Sequence, residues 1–444
     1  MNVPPSSSDS IGGFGRSRPA RVSSLIRSYG RIGILGGTIT LITLVALIRA
    51  QAFYGSIYRG WDSQFYYAMA QSLVLDFDTD ITNNLLRSRD PGPFDRDGDG
   101  LWESVPRLGD GKIPNKYPIG LSLIEAPWLV VGCLVHRAMG VALTGPPDAI
   151  GYSGIEIWSV AIGLTALFVA GIVGLDLALR DDFGRLAAGA GLCGAWLGTS
   201  LFYYTGIYPF MSHAASFSVL SGVLLTARAL SRGGSGNRLL PLLGLALAGL
   251  FLVRPQQIVV AVLLLPMILG SLRAQDPARW VAGCVAGATI LAIAVVVQLL
   301  NNQLQFHGWT LSGYAAGGEG FSFLRPKLSF VLFSQSRGLL IYHPIWALAT
   351  LGCLIRWREL PSYAKPFFWN AVVQIYLVAS WSSPDQGDSF GARMLSDNAG
   401  VVALGLAALV QQAGRSIRWA IVAGTTASIG WTTLLLARYI GVMS

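Results

Sequence analysis

Charge is what this sequence has least of. Of its 444 residues, 12% are charged and 52% are hydrophobic, and the mean hydropathy is +0.53. Soluble globular proteins carry about 25% charged residues, so the chain lacks the charge to cover a surface of this size that faces water. This shortage excludes a soluble enzyme, a disordered regulator and a nucleic-acid-binding domain. It indicates an all-α polytopic membrane protein. The net charge of +9 is then explained by Lys and Arg in the loops next to the membrane, where they set the orientation of the spans.

Cysteine is scarce too, and several common motifs are absent. The four cysteines, Cys133, Cys193, Cys284 and Cys353, lie in apolar stretches without the paired spacing of a metal site, which is typical of buried small hydrophobic residues. The sequence also has no P-loop, haem motif, zinc-ligand spacing, nucleophile elbow or internal repeat. These absences exclude the commonest nucleotide, haem and zinc sites.

Long apolar runs predict eleven membrane crossings. Residues 1–31 are rich in Ser, Gly, Pro and Arg and are predicted to form a disordered cytoplasmic tail, and residues 32–444 to form a single integral membrane domain. Within the apolar stretch 239–272, Arg254-Pro255 predicts a turn between two short helices, because one helix of about 51 Å would be too long for a crossing. The predicted spans are 32–54, 152–179, 186–204, 209–229, 239–253, 256–272, 280–300, 338–355, 366–381, 394–413 and 418–437.

The distribution of Lys and Arg predicts the topology. Five short loops hold 12 of these residues, whereas the alternate loops hold 6. The richer loops are 180–185, 228–238, 273–279, 356–365 and 415–418. The positive-inside tendency places them in the cytoplasm with the N-terminus, which parity allows only if 119–142 does not cross. We therefore predict a surface or half-inserted helix over 119–142 within a large outer loop, 55–150, and a second outer loop over 301–337.

This topology places six cations on the outer face. Each alone is typical of an interfacial side chain, but together they suit an anionic headgroup, most simply a lipid phosphate or diphosphate. The six are Lys116, Arg254, Arg325, Lys327, Arg337 and Arg393. Asp62 follows the first span within an aromatic stretch, and an interfacial aromatic belt does not explain this carboxylate.

Several short motifs lie on the same face. They are Asp62 after the first span, Lys116-Tyr117-Pro118, Ser212-His213, Arg254-Pro255, the tract 334–339 with Tyr342-x-Pro344, and Ser389-Phe390-Gly391-Ala392-Arg393. Together they resemble the GT-C fold glycosyltransferases, and more nearly the branch of protein O-mannosyltransferases and lipid A aminoarabinose transferases. The resemblance covers residues 30–440 in layout. It implies a GT-C-like fold and inverting transfer of a sugar from a polyprenyl-phosphate-linked donor. Where that branch often has paired carboxylates, Asp62 is followed by Ser63.

Sugar transfer of this kind predicts roles for the outward residues. An acceptor hydroxyl has to lose its proton, so Asp62 is predicted to be the general base and His213 a second acid/base or a sugar ligand. The departing phosphate gains negative charge, which cations stabilise in a site poor in water. Lys116, Arg254 and Arg337 are the first candidates for that task. The other predicted substrate-binding residues are Tyr66, Tyr117, Ser212, Arg325, Lys327, Tyr342 and Arg393. No cofactor is required.

An acidic motif in the first outer loop is a separate feature. Its three carboxylates, Asp95, Asp97 and Asp99, have the spacing of an EF-hand calcium loop around Gly100. Position 12 of that loop is a proline here, and Glu103 at position 9 could replace part of the missing ligand. A structural Ca²⁺ site and a solvated acidic loop both remain open.

Two other functions remain open. A transporter or flippase for lipid-linked saccharides would usually show internal repeats and ionisable residues at mid-membrane depth, whereas here the polar residues gather on one face. A non-catalytic scaffold for surface polysaccharide assembly predicts that Asp62 and the outward cations are replaceable. As an enzyme, the protein is expected in the inner or plasma membrane among membrane lipids. Its active site would be extracytoplasmic, and its acceptor would be a lipid, a glycan or a protein. Nucleic acid is not expected as a partner.

Overall fold

The computed structural model describes residues 18–54, 60–87, 107–139, 151–272, 276–387 and 389–443. Every regular element in these ranges is helical. The α-helices are α1 (Arg18–Tyr54), α2 (Trp61–Gln71), α3 (Thr82–Arg87), α4 (Gly120–Ala138), α5 (Gly154–Phe183), α6 (Arg185–Leu197), α7 (Tyr203–Gly206), α8 (Ser212–Ser231), α9 (Gly236–Val253), α10 (Val259–Ser271), α11 (Pro277–Phe306), α12 (Gly313–Ala316), α13 (Leu328–Phe333), α14 (Leu339–Tyr342), α15 (Ile345–Ile355), α16 (Lys365–Ser380), α17 (Ala399–Gln412) and α18 (Arg415–Met443).

Among the described residues, eight helices are long and apolar enough to cross a membrane, which makes the chain a polytopic membrane protein. They are the apolar part of α1, then α4, α5, α8, α9, α11, the stretch Arg393–Gln412 that contains α17, and α18. Arg393–Asn398, directly before α17, is a turn of 3₁₀ helix.

Four of the eleven predicted spans form helices that are too short to count among these eight. Helices α6, α10, α15 and α16 have 13, 13, 11 and 16 residues. The span predicted over 338–355 is divided at Pro344, which lacks an N–H and cannot extend the helix that precedes it. Eleven crossings therefore stays a prediction.

One end of the bundle, here named the far face, is held together by contacts among helix termini. Arg228 near the end of α8 pairs with Asp181 and Asp182 at the end of α5, each at 3.1 Å. Gln411 of α17 donates to the backbone carbonyl of Asp182, and the hydroxyl of Tyr363 bonds to the Asp182 carboxylate. Loops that the Lys and Arg distribution grouped together therefore meet at this end.

The opposite end, here named the cavity face, is where α8 begins and where α9 and α16 end. Asp397, in the 3₁₀ turn before α17, contacts His213 at the start of α8 and Arg254 just after α9. Tyr439 near the end of α18 packs against Tyr203 at this same end. Helix termini from distant parts of the sequence thus converge on one small volume.

Helix α4 corresponds to the predicted non-crossing segment 119–142. It has 19 residues and is apolar enough to cross, yet its contacts lie in one half of the bundle. Gly120 packs against the last turn of α9, at the cavity face. Gly132, near the other end, packs against Glu156 in the first turn of α5, whereas the end of α5 reaches the far face. Whether 119–142 is a half-inserted or a crossing helix stays a prediction.

Close backbone contacts between glycines hold neighbouring helices together. Gly244 of α9 lies against Gly287 of α11, and Gly405 of α17 lies against Ala349 of α15. A Cβ at Gly244 or Gly405 would overlap backbone atoms of the partner helix. Small residues of this kind allow the close packing on which helices in lipid depend.

Two predicted boundaries differ from the helix ends of the structure. The disordered tail was expected to include residues 18–31, but α1 begins at Arg18, because an existing helix extends without a second nucleation cost. The outer loop was expected to begin at residue 301, but α11 continues to Phe306. Its last turns bury Gln298, Asn301, Asn302 and Gln305 on one helical face. The last three of these lie in the segment predicted to be a loop.

Candidate active site

A cavity of about 370 Å³ lies at the cavity face. Its wall combines the start of α2, the segment before α4, the start of α8, the turn after α9, the loop before α13 and the segment between α16 and α17. Eight predicted site residues line it: Asp62, Tyr66, Lys116, Tyr117, Ser212, His213, Arg254 and Arg393. The fold therefore brings into one space residues that are far apart in the sequence.

Asp62 faces the cavity from the first turn of α2. Its Oδ1 accepts a 2.6 Å hydrogen bond from the hydroxyl of Tyr117, and its Oδ2 lies 3.1 Å from Nη2 of Arg393. Burial alone would raise the pKa of this carboxyl, but the charge of Arg393 and the Tyr117 hydrogen bond hold it below its ordinary value. Asp62 is thus an ionised carboxylate that is 21% exposed toward the cavity.

The glycine before α2 fixes the approach of that helix to the cavity. Gly60 has extended backbone, with φ −175° and ψ 147°. A Cβ at this position would overlap the hydroxyl of Tyr208, which also lies 3.4 Å from the hydroxyl of Ser63. The absent side chain therefore lets the start of α2, and Asp62 with it, pack against the loop before α8.

Tyrosine side chains form one wall of the cavity. The ring of Tyr117 packs against Tyr66 and Tyr314, with centroids 5.0 and 5.8 Å apart, and the side chain of Tyr66 hydrogen-bonds to Ser212. Burial raises the pKa of Tyr66, Tyr117 and Tyr314 above the ordinary value. Their hydroxyls stay protonated and can donate. Rings and hydroxyls together suit a ligand with apolar faces and polar edges, such as a sugar.

Lys116 is held at the cavity by an acidic partner and two rings. Its Nζ lies 2.6 Å from Oε1 of Glu319 and 5.6 Å from the ring centroids of Tyr117 and Tyr314. Gly313 allows this placement, since a Cβ there would overlap the backbone of Lys116. The loop after α11 therefore closes one side of the cavity.

His213, Arg254 and Asp397 form a buried cluster behind the wall. Nδ1 of His213 lies 3.0 Å from Oδ1 of Asp397, and Nε of Arg254 lies 3.2 Å from Oδ2. Nη1 of Arg254 is 3.5 Å from Nδ1 of His213. Gln257 donates to Oδ2 of Asp397 at 3.2 Å and accepts from Asn370 at 2.8 Å. Asp397 is fully buried, and these donors stabilise its carboxylate.

The cations of the cavity are already paired. Lys116 contacts Glu319, Arg254 contacts Asp397, and Arg393 contacts Asp62. The three pairs leave no excess positive charge among these six side chains. An anionic ligand would therefore bind by sharing or displacing a carboxylate, not by filling an empty cationic site.

Four predicted site residues lie outside the cavity. Arg337 donates to the backbone carbonyls of Ser389 and Asp385, at 3.3 and 3.0 Å, and so supports the segment before Arg393. The ring of Tyr342 packs against Phe390, 5.7 Å away between centroids. The other two, Arg325 and Lys327, are exposed side chains in the segment before α13.

Sequence reasoning missed Asp397, Glu319, Tyr208 and Tyr314. An ionisable residue inside the predicted span 394–413 was the available signal for Asp397, because such residues are expensive in a membrane and usually functional. Glu319 and Tyr208 stand in loops of ordinary composition, and Tyr314 stands in the four-residue helix α12. No local pattern marks them, since their positions depend on tertiary contacts.

The acidic motif Asp95, Asp97, Asp99 and Glu103 lies outside the described residues. Among the residues that the structure does describe, no group of three or more His, Cys, Asp or Glu side chains could hold a metal ion. The calcium prediction stays a prediction.

No protein-family model matches the chain, and neither does any curated protein. The functional argument therefore depends on the cavity and on the motifs that line it.

Proposed function

We propose that the protein is a membrane glycosyltransferase of GT-C-like fold, which transfers a sugar from a polyprenyl-phosphate-linked donor to an acceptor hydroxyl. The observation that carries the proposal is the composition of one cavity, where two candidate bases and three cations meet. In this proposal the cavity face is extracytoplasmic, because the loops richer in Lys and Arg belong to the far face.

The chemistry requires one proton transfer and one displacement. Asp62 takes the proton of the acceptor hydroxyl, and the acceptor oxygen forms a bond to the anomeric carbon of the sugar. The bond between that carbon and the donor phosphate oxygen breaks, and the lipid phosphate leaves with the negative charge. Lys116, Arg254 and Arg393 stabilise that charge. A single direct displacement inverts the anomeric centre.

The ion pair between Asp62 and Arg393 supplies a way to couple donor binding to base strength. While Arg393 holds the pKa of Asp62 low, the carboxylate accepts a proton poorly. A donor phosphate competes for the Arg393 guanidinium. Once the pair is broken, burial raises the pKa of Asp62 and makes it a stronger base. The base is therefore activated when the donor is in place.

His213 is the second candidate base, and one contact favours it. A carboxylate only accepts hydrogen bonds, so the 3.0 Å contact with Asp397 assigns the proton to Nδ1 of His213. Nε2 is then the acceptor nitrogen of a residue that lines the cavity. A carboxylate that fixes the tautomer of a histidine is a familiar arrangement for a general base.

The test is sugar transfer in reconstituted membranes from a radiolabelled polyprenyl-phosphate sugar pool. Wild type is compared with Asp62→Asn, and with Asp181→Asn as a matched control at the far face, at equal folded yield. We expect transfer by wild type and by the control, and a loss in Asp62→Asn. Equal transfer by all three would move the base to His213, and His213→Ala would then abolish the activity.

One observation favours the transporter alternative. Glu125 of α4 is fully buried, and neither carboxyl oxygen has a hydrogen-bond partner among the described residues. Unpaired carboxyls inside membrane helices are typical of ion and substrate pathways. Movement of the lipid-linked sugar across the bilayer, without covalent transfer and dependent on Glu125, would replace the transferase proposal.

A further inference from the structure

The segment 321–333 exposes apolar side chains, although it is not part of a predicted membrane span. It consists of a loop followed by the short helix α13. Leu324 is 98% exposed and Phe333 is 56% exposed. The large apolar side chains exposed in this segment are Phe321, Phe323, Leu324, Leu328, Phe330 and Phe333. A contiguous exposed apolar surface outside a membrane span indicates an interaction site.

Two cations stand within the same segment. Arg325 and Lys327 are both exposed, and the structure gives neither of them an acidic partner within the described ranges. They lie at the cavity face, where the positive-inside tendency disfavours cations. Cations flanked by exposed aromatic and aliphatic side chains are typical of a segment that lies at the edge of a bilayer.

Contacts with α16 place the segment beside the last turns of a predicted membrane span. The ring of Phe323 stacks on Tyr376 at 6.5 Å between centroids, and the Tyr376 hydroxyl donates to the Phe323 carbonyl at 2.5 Å. Tyr376 lies four residues before the end of α16 at Ser380, which corresponds to about 6 Å along the helix. The exposed stripe continues along α16 through Val372 and Trp369. The segment therefore lies beside the outer turn of a helix, not above it.

Backbone hydrogen bonds connect the segment to the cavity wall. The N–H of Ser322 donates to the carbonyl of Ser380 at 2.6 Å, and the N–H of Lys327 donates to the carbonyl of Ala379 at 2.7 Å. A β-bridge joins Phe321 to Trp381, which lines the cavity. A ligand that holds this segment would therefore also hold part of the cavity wall.

We propose that residues 321–333 form a membrane-interface anchor, in which the apolar side chains enter the bilayer and Arg325 and Lys327 bind the phosphate groups of anionic lipids. The bilayer is the occupant because the exposed surface combines apolar area with unpaired positive charge, a pattern that an anionic lipid complements on both counts. This inference does not depend on the transferase proposal.

The experiment uses a photo-crosslinker in the full-length protein. Benzoylphenylalanine replaces Leu324 in nanodiscs that contain equal amounts of phosphatidylglycerol and phosphatidylcholine, and mass spectrometry identifies the adducts. Benzoylphenylalanine at Ala316, an exposed position in α12 without the apolar neighbours, is the positional control. We expect lipid adducts at 324 and few at 316, with phosphatidylglycerol preferred by about fivefold per cation.

Charge variants decide the headgroup assignment. The pair Arg325→Gln and Lys327→Gln should bring the two lipids to equal yield, whereas Arg279→Gln with Arg415→Gln, two exposed cations at the far face, should leave the preference unchanged. Absence of lipid adducts at 324, or crosslinked protein dimers in their place, would overturn the anchor. Equal yields of both lipids with the native cations would overturn the headgroup site.

Discussion

Asp–Arg ion pairs lie at both ends of the helix bundle, but their surroundings differ. At the far face, the Asp181 and Arg232 side chains are 56% and 54% exposed, whereas their partners Arg228 and Asp182 are 11% and 7% exposed. At the cavity face, Asp397 is fully buried and Arg254 is 8% exposed, while Asp62 and Arg393 border an open volume. The far-face cluster thus reaches water through Asp181 and Arg232, whereas the cavity-face pairs border a cavity inside the protein.

This difference shows what each set of charges does. A pair with an exposed member, such as Asp181 with Arg228, contributes about 0–1 kcal/mol and mainly joins helix ends at a surface rich in Lys and Arg. Buried pairs carry a desolvation cost that only well-made contacts offset. Beside a cavity, such pairs keep charged groups within reach of a ligand. The comparison therefore agrees with the proposal, in which the far face carries the charges that set topology and the cavity face carries the chemistry.

The largest difference between the two faces is expected in how much a lost carboxylate lowers the free energy of unfolding. Asp397→Ala would leave Arg254 buried without its carboxylate, a change that costs about 3–5 kcal/mol. Asp181→Ala at the far face should cost less than about 1 kcal/mol. Thermal unfolding of both variants in nanodiscs measures the difference. Similar losses would contradict the distinction between the two faces.

Sugar transfer should depend on Arg393 at the cavity face but not on Arg232 at the far face. Arg393→Gln removes a cation from the cavity and should lower sugar transfer by about 10²–10³-fold, as loss of a charge-stabilising donor does in other active sites. Arg232→Gln at the far face is the matched control and should retain transfer. A comparable loss in both, at equal folded yield, would show that the effect is structural.

The pH dependence of stability tests the environment of Asp62. Because the folded pKa lies below the ordinary 3.8, the ionised form adds stability that is complete above pH values near 3.8 and is lost as the pH falls through the lower folded pKa. The melting temperatures of wild type and Asp62→Asn should therefore differ by a constant amount from pH 7 to about 5. The difference should shrink progressively as the pH falls from there through the folded pKa. A gap that grows on acidification would contradict the ion pair with Arg393.

The smallest effect concerns Lys116, whose partner is partly exposed. Glu319→Gln removes the competing carboxylate, so Lys116 becomes free for a donor phosphate, and donor affinity should rise by about two- to fivefold. Titration of wild type and variant with a polyprenyl phosphate measures this change. Weaker binding would show that Glu319 positions Lys116 and does not compete with the ligand.

Local patterns predicted much of the helix inventory and part of the cavity. Asp62 stood out because a carboxylate follows an apolar span, and Arg254-Pro255 because a charged turn interrupts another. The same reasoning placed Arg325 and Lys327 beside the donor phosphate, whereas the structure places them outside the cavity. An exposed cation in a loop looks the same in sequence whether it faces a pocket or lipid.

Composition and apolar runs by themselves determined that the chain is a helical membrane protein, and which of its loops are rich in Lys and Arg. These properties are sums over neighbouring residues. The pairing of Asp62 with Arg393, and of His213 with Asp397, was decided only by tertiary structure, because the partners are 331 and 184 residues apart. They meet through helix packing, in which close contacts such as Gly244 with Gly287 bring helix ends into one cavity.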